Sequence, residues 1–477
     1  MSLKIEYVIF RQDEICRHVS QRRSPDNLKM SRFASHLRPM NYDISPCNSS
    51  WRQNAAITCA YRQIGFSIAV RSTSAAPMPR RIAHLDMDAF FASVELIAYP
   101  ELVGEAVVVG GARAPSPERK ADGRLHFAHL KDYVGRGVVT TATYEARALG
   151  VFSGMGLMKS SRLAPEAILL PANFEAYRDY SRRFKAAVRE IAPHMEDRGI
   201  DEIFLDLSEH PEESQSLAER LQNAVRMATG LSCSIGIAPN RLLAKIASDL
   251  QKPGGITILS RDDLSTRIWP LPAGKINGIG KKTAARLSAL GITSIADLAR
   301  TPVETLCLHF GRHTGEWLSR SALGIDDSPI VTLREVKSIS REATFERDLH
   351  LRRDRDELSR QLENLCQRVA ADMNRKEMSG RTVGIKLRFA DFRLLTREIT
   401  LPAALPTPAT KEDLLASARQ CLKKIAFDVP ERQLFRLLGV RVSALLPFGS
   451  ATPKPEKTAS VKDLQQAPAP RQAELPF

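Results

Sequence analysis

No run of about 18 apolar residues occurs in this 477-residue chain, so no helical membrane span is predicted. The seven cysteines (Cys16, Cys47, Cys59, Cys233, Cys307, Cys366, Cys421) include no CxxC pair. That spacing argues against a zinc site and a disulfide framework, and it fits a reducing cytoplasm. The apolar fraction of 43% and charged fraction of 26% suit a soluble globular protein. The length exceeds what one core holds, so several domains are expected.

The net charge is +15, and it is unevenly spread. Residues 1–79 carry eleven Lys/Arg against five Asp/Glu, and residues 334–447 carry twenty-three against sixteen. A polyanion is therefore expected to be gripped near the C-terminus, by a domain separate from any acidic site. An ordinary solvated basic surface is the plain alternative.

The acids that stand out are Asp86, in His84-Leu85-Asp86-Met87-Asp88-Ala89-Phe90-Phe91, and the pair Asp201-Glu202 after Gly199-Ile200. Each set follows or interrupts an apolar, strand-like stretch. Three carboxylates in a basic protein offer oxygen ligands to a hard cation such as Mg²⁺, which is commonly shared with substrate phosphates. Two such ions clamp the oxygens of an in-line phosphoryl transfer, so nucleotidyl transfer is the first hypothesis.

Residues 1–79 show little periodicity. A start at Met78 explains them more simply than a transit peptide, because Glu6, Asp13 and Glu14 do not suit one. A strand is predicted over Ile82–Leu85 and a helix through Phe91 and Val94. Residues 112–136, with Pro115-Ser116-Pro117, read as a surface insertion. The stretch Ala176–Ile191 reads as a basic helix. Ile200–Leu207 reads as a strand. Neighbours in a strand face opposite ways, so the chain must turn at Gly199 if Asp201 and Glu202 are to share a site. A strand at Leu231–Ala238 precedes a helix capped by Asn240. This order of strands and helices is that of a ferredoxin-like sheet.

Lys275-Ile276-Asn277-Gly278-Ile279-Gly280-Lys281-Lys282 has the helix-hairpin-helix pattern. Gly278 and Gly280 let backbone N–H groups approach a phosphate, and Lys281 and Lys282 supply charge. Such a turn reads DNA backbone without base specificity. Helix 355–374 carries an apolar stripe of Leu358, Leu362, Leu365 and Val369. In Thr382–Ala390, Val383, Ile385, Leu387 and Phe389 face one way and Lys386 and Arg388 the other, a half-buried strand with a basic outer face. Arg441 lies in a similar strand. Residues 449–471 read as a flexible linker. The last six, with Gln472, Leu475 and Phe477, look like a docking peptide.

Together these motifs resemble the Y-family translesion DNA polymerases. The resemblance rests on Asp86-Met87-Asp88-x-Phe90-Phe91-Ala92-x-Val94-Glu95, Thr143–Arg147, Ile200–Asp206 and Leu243–Pro253, and it spans residues 80 to about 447. It implies an α+β, multidomain right hand: a ferredoxin-like palm (80–89 and 177–265), fingers (90–176), a helical thumb with the helix-hairpin-helix (266–333), and an α/β little finger (334–447). Residues 448–477 would be a linker and sliding-clamp-binding tail. The implied activity is template-directed DNA synthesis past damage, of low fidelity and without proofreading. Asp86, Asp201, Glu202 and the Met87 carbonyl would hold two Mg²⁺ ions. Phe91 would be the steric gate against ribonucleotides, and Tyr144, Arg147 and Lys252 would hold the triphosphate. Partners would be primer-template DNA, dNTPs and the clamp; the protein would be a cytoplasmic monomer.

Three departures from the family pattern stand out. Gly199 replaces the usual Ser, which removes a hydrogen bond near the carboxylates. Residues 112–136 are roughly twenty more than the family needs, and residues 1–79 have no counterpart. Two other readings are a mutasome polymerase subunit and a clamp-bound DNA-binding scaffold with a decayed active site. The intact acids argue against the scaffold.

Overall fold

In the computed structural model, residues 80–111, 114–428 and 434–450 are described, with only the backbone for 426–428. All belong to one of the chain's two units, Pro77–Phe477. The extension 1–79 and the docking peptide 472–477 lie outside the described residues.

Strand β1 (Ile82–Met87) runs into helix α1 (Phe90–Ala98). Next come β2 (Val107–Gly110), the hairpin of β3 (Glu118–Arg119) and β4 (Leu125–His126), β5 (Ala128–His129) and β6 (Val139–Ala142). Helices α2 (Tyr144–Ala148) and α3 (Leu157–Leu163), strand β7 (Ile168–Leu170) and helix α4 (Phe174–Ile191) follow. Then come β8 (Met195–Asp197), β9 (Glu202–Asp206), α5 (Ser214–Thr229), β10 (Cys233–Ala238), α6 (Arg241–Leu250) and β11 (Ile256–Ile258). Four short helices succeed them: α7 (Lys281–Ala289), α8 (Ile295–Arg300), α9 (Val303–Phe310) and α10 (Arg312–Ala322). The last elements are β12 (Ser338–His350), α11 (Arg355–Arg375), β13 (Met378–Phe389), β14 (Leu394–Thr400), α12 (Lys411–Asp428) and β15 (Leu434–Pro447).

The first sheet has the order β11-β10-β1-β9-β8, with β1 antiparallel to both neighbours. Apart from β11, its strands lie in the chain order fourth, first, third, second, joined as βαββαβ through α4 and α5, the ferredoxin-like arrangement. Ala83, Leu85 and Met87 pack against Tyr177, Phe184 and Val188 of α4 and Leu221 and Val225 of α5. Each fully buried side chain of this kind stabilises by about 1.5–3 kcal/mol. A one-residue slip of β1 would bury Asp86 in place of Leu85, so the core fixes which residues reach the other face. There Ile82 and Phe204 pack with Leu242, Leu243 and Ile246 of α6. His84 and Asp86 share that face by the twofold period of the strand.

A second sheet has the order β5-β7-β2-β6. It corrects the reading of 112–136 as a surface insertion. The β3–β4 hairpin is exposed, whereas β5 pairs with β7, and Leu130 and Tyr133 are buried in this sheet's core. Isolated apolar residues without a period concealed that half.

Helices α7–α10 share a core with α6. In the turn before α7, Gly278 has φ +108°, and a Cβ there would lie 2.8 Å from the Trp317 ring, so only glycine fits. Gly280 caps α7, and Lys281 and Lys282 open it, both exposed.

The third sheet, β12-β15-β13-β14, is covered on one face by α11 and α12. Val383, Ile385, Leu387 and Phe389 are buried as the alternation requires, with the stripe Leu358, Leu362, Leu365 and Val369 against them. The outer face departs from the basic surface expected of it. Lys386 and Glu342 both stand opposite Gly439 from the two sides of β15, and the lysine donates to both Glu342 oxygens at 2.7 and 2.9 Å. Likewise Arg441 and Glu398 face each other across Gly384 at 4.0 Å. Arg388 has a buried Nε without a hydrogen-bond partner.

Candidate active site

Asp86 on β1 stands directly opposite Glu202 on β9, and His84 opposite Phe204. Strand β9 begins at Glu202, so Asp201 lies outside the pleat and is free to turn toward the same side. The carbonyl of Asp201 accepts from Met87 N–H at 3.0 Å, which ties the bend to β1. The turn needed at Gly199 is present, and the Gly199 carbonyl accepts from Lys185 Nζ at 2.5 Å.

A cavity of about 140 Å³ lies beside these residues. Asp86, Met87, Phe91, Arg147, Asp201 and Lys252 line it, so six residues singled out from the sequence meet there. Thr140, Thr141 and Ser153, which were not foreseen, line it too. Glu202 reaches the group through Asp86: ligand atoms of His84, Asp86 and Glu202 lie within 4.8 Å of one another.

The charges are arranged in a crowded set. Burial, and then the neighbouring Asp86 and Glu202, push the Asp201 carboxyl above its ordinary range. Like charges so placed favour a cation among them. Lys252 Nζ donates to Asp86 at 2.6 Å and lies 3.1 Å from Asp249. Burial opposes its charge, but the Asp86 carboxylate raises its pKa nonetheless. Glu202 Oε2 meets His84 Nε2 at 3.4 Å and makes a short ion pair with Lys245, and these two neighbours hold its carboxyl well below the usual range. Burial lowers the pKa of His84, whose ring is fully enclosed. The donor set of hard oxygens fits a divalent cation such as Mg²⁺ or Mn²⁺.

Phe91 is half-buried, stacked on Tyr177 at 4.2 Å with 13° between the rings, and touched edge-on by Phe174. Tyr177 donates to the buried Glu95 at 2.5 Å and accepts from Asn173 N–H at 3.0 Å. Tyr144 lies under the Arg147 guanidinium at 4.9 Å, beside the cavity rather than in its wall. Its hydroxyl is buried without a partner, and burial, then Asp88, pushes its pKa to about 12. Asp88 accepts from Ser234 Oγ at 2.7 Å and from Gly254 N–H at 2.8 Å, which holds the loop carrying Lys252.

His84, Asp88, Lys245 and Tyr177 were not anticipated. His84 was within reach, because it lies two residues before Asp86 in a strand. Lys245 was not, because its contact arises from the way α6 crosses the sheet. A larger cavity of about 440 Å³ is lined by Arg241, Lys245, Asn277 and Trp317 among others. The Gly278–Lys282 turn and the Lys386–Arg388 strand lie on other elements and do not line the smaller cavity.

Three family models match the chain: the impB/mucB/samB family over residues 85–249, its C-terminal domain over 336–458, and the IMS family HHH motif over 261–292. Among curated relatives, the DNA polymerase IV of Desulfatibacillum aliphaticivorans is 35% identical over 78% of this chain and 86% of its own length. That of Methanoculleus marisnigri is 37% identical over 77% and 94%. A solved Y-family DNA polymerase chimera of Dbh and Dpo4 is similar in fold, with TM-score 0.65, 23% identity, and coverage of 77% of this chain and 99% of that one. Among the described residues no helix is long and apolar enough to cross a membrane.

Proposed function

The chain belongs to the impB/mucB/samB family and is a Y-family, DNA-directed DNA polymerase that performs translesion synthesis, and from that premise we propose how its residues divide the work. The observation that carries the assignment is the single cavity where Asp86, Asp201, Phe91, Arg147 and Lys252 converge.

Asp86, Asp201, Glu202 and the Met87 carbonyl would hold two Mg²⁺ ions. Bound there, Mg²⁺ would lower the pKa of a primer hydroxyl and balance charge on the leaving pyrophosphate. The chain's own groups position the reactants. Arg147 presents a fork to phosphate oxygens and Lys252 a point charge, while the unpartnered Tyr144 hydroxyl is a donor without an acceptor inside the protein. Lys252 must leave Asp86 to reach a phosphate. The Phe91 ring, braced by Tyr177, would lie where a ribose 2′-OH must go. Palm, fingers, thumb and little finger would follow the sheets and helices, with boundaries near 80–89 and 177–265, 90–176, 266–333 and 334–447. Gly278, Gly280, Lys281 and Lys282 would hold the DNA backbone, and Lys386 and Arg388 would add a second grip. Gln472, Leu475 and Phe477 would dock on a sliding clamp. Synthesis would be of low fidelity and without proofreading, by a monomer.

Primer extension with Mg²⁺ and dNTPs tests this reading. The full chain should extend, and Asp201→Ala/Glu202→Ala should not. Removal of residues 472–477 should leave extension intact and abolish its stimulation by clamp. Equal extension by the double variant would overturn the metal assignment; equal stimulation without the tail would overturn the docking assignment.

A further inference from the structure

Glu202 is held on one side and open on the other. Its Oε2 takes a short ion pair from Lys245 Nζ, and that ammonium lies 3.3 Å from His84 Nε2. His84 Nδ1 lies 2.7 Å from Ser248 Oγ, and Ser248 Oγ donates to the Lys245 carbonyl at 2.9 Å. A carbonyl only accepts, and an ammonium only donates. One assignment therefore gives each of these four contacts a proton: Ser248 to the carbonyl, His84 Nδ1–H to Ser248, and Lys245 to both His84 Nε2 and Glu202, so that the ammonium, and not a ring proton, bridges the 3.4 Å approach of His84 Nε2 to Glu202 Oε2. The ring is fully enclosed and Ser248 is 2% exposed, so the acceptor that aims the ammonium is fixed by packing.

From the opposite side no hydroxyl reaches the acids at position 199. A Cβ built on Gly199 would stand 3.5 Å from Asp201 Oδ1 and 3.5 Å from Glu202 Cγ, an ordinary contact, and its backbone is outside the left-handed region. A serine there has room, and its hydroxyl would come within reach of the same carboxylates.

We propose that Lys245 is a positioning residue for the polymerase reaction: aimed by His84 and Ser248, its ammonium fixes Oε2 of Glu202 and leaves Oε1 for a divalent cation, doing from α6 what Gly199 cannot do from the bend before β9. The inference rests on the placing of Glu202 in the metal site. It makes Lys245 distinct from Lys252, whose partner is Asp86 and whose proposed destination is the triphosphate.

The test uses the full chain, Lys245→Met, Lys245→Arg and Lys245→Met/Gly199→Ser. Mn²⁺ binding without DNA is followed by electron paramagnetic resonance, kcat and KM for a dNTP by single-nucleotide extension, and folding by the thermal midpoint. Loss of a positive charge alone would tighten cation binding. Loss of position weakens it, commonly by about 10–100-fold for partners of metal ligands. Lys245→Met should therefore bind Mn²⁺ at least about 10-fold more weakly, with kcat reduced and KM unchanged. Lys245→Arg should fall between, and Gly199→Ser should restore part of both losses. Equal or tighter Mn²⁺ binding by Lys245→Met, or a loss that Gly199→Ser leaves untouched, would overturn the proposal. Should Lys245→Met unfold, Lys245→Gln carries the same test. Weakened Mn²⁺ binding in a chain whose parent extends no primer would support the role of Lys245 and reject the polymerase reading instead.

Discussion

Beside α6, on one face of the β11-β10-β1-β9-β8 sheet, three carboxylates stand together, whereas on the outer face of the β12-β15-β13-β14 sheet Glu342 and Glu398 each stand against a base. Both sheets bury one face under two helices by the same alternation. In the first, Asp86 and Glu202 are cross-strand neighbours, and the cations that balance them, Lys245 and Lys252, come from α6 and the loop after it. In the second, Lys386 and Glu342 meet over Gly439, and Arg441 and Glu398 over Gly384, where a glycine leaves space between the outer strands. Concentrated like charge makes a site that demands a ligand. Charge balanced within the sheet makes a surface that can release its cations to a polyanion at modest cost, since an exposed pair stabilises by only about 0–1 kcal/mol.

The contrast predicts effects of different size and different salt dependence. The largest concerns shape beside the first sheet: Phe91→Val should raise ribonucleotide use by about 100-fold, measured as the ratio of kcat/KM for rNTP and dNTP, and equally at low and high salt. Unchanged discrimination would remove Phe91 from the gate. A smaller effect is expected from its brace. Tyr177→Leu removes an aromatic stack of about 0.5–1.5 kcal/mol, so the same ratio should shift by roughly 2–10-fold. If that shift equals the one from Phe91→Val, the brace and not the gate ring sets the selectivity. The smallest effect lies on the other sheet. Glu342→Gln frees Lys386, and the slope of log Kd against log salt for primer-template DNA should steepen by about 0.9, with sugar selectivity unaltered. A slope that stays the same would mean that Lys386 does not meet phosphate.

The residues that form the site could be read from the sequence because their chemistry is local: Asp86 ends an apolar strand, and Asp201-Glu202 follow a glycine. The turn at Gly199 was dictated by the pleat itself, since two adjacent side chains cannot share a face without it. The helix stripe Leu358–Val369 and the alternation Val383–Phe389 were equally plain, because periodicity is a property of the chain alone. What could not be read depends on how elements cross. The Lys245–Glu202 contact joins residues on a helix and a strand, and the Lys386–Glu342 pair spans a third strand whose glycine gave no hint of it. The buried half of 112–136 escaped for another reason: Leu130 and Tyr133 are single anchors, and single anchors have no period.

Strand β1 lies inside its sheet, hydrogen-bonded along both edges to β10 and β9. Amides in such a strand open only when the surrounding structure opens with them. Asp86 therefore sits on a strand with little local freedom, while Lys252, on a loop past α6, has more. Heat or denaturant would not strip the acid from the site ahead of the fold, so the capacity to hold a cation and the folded state should disappear in one step.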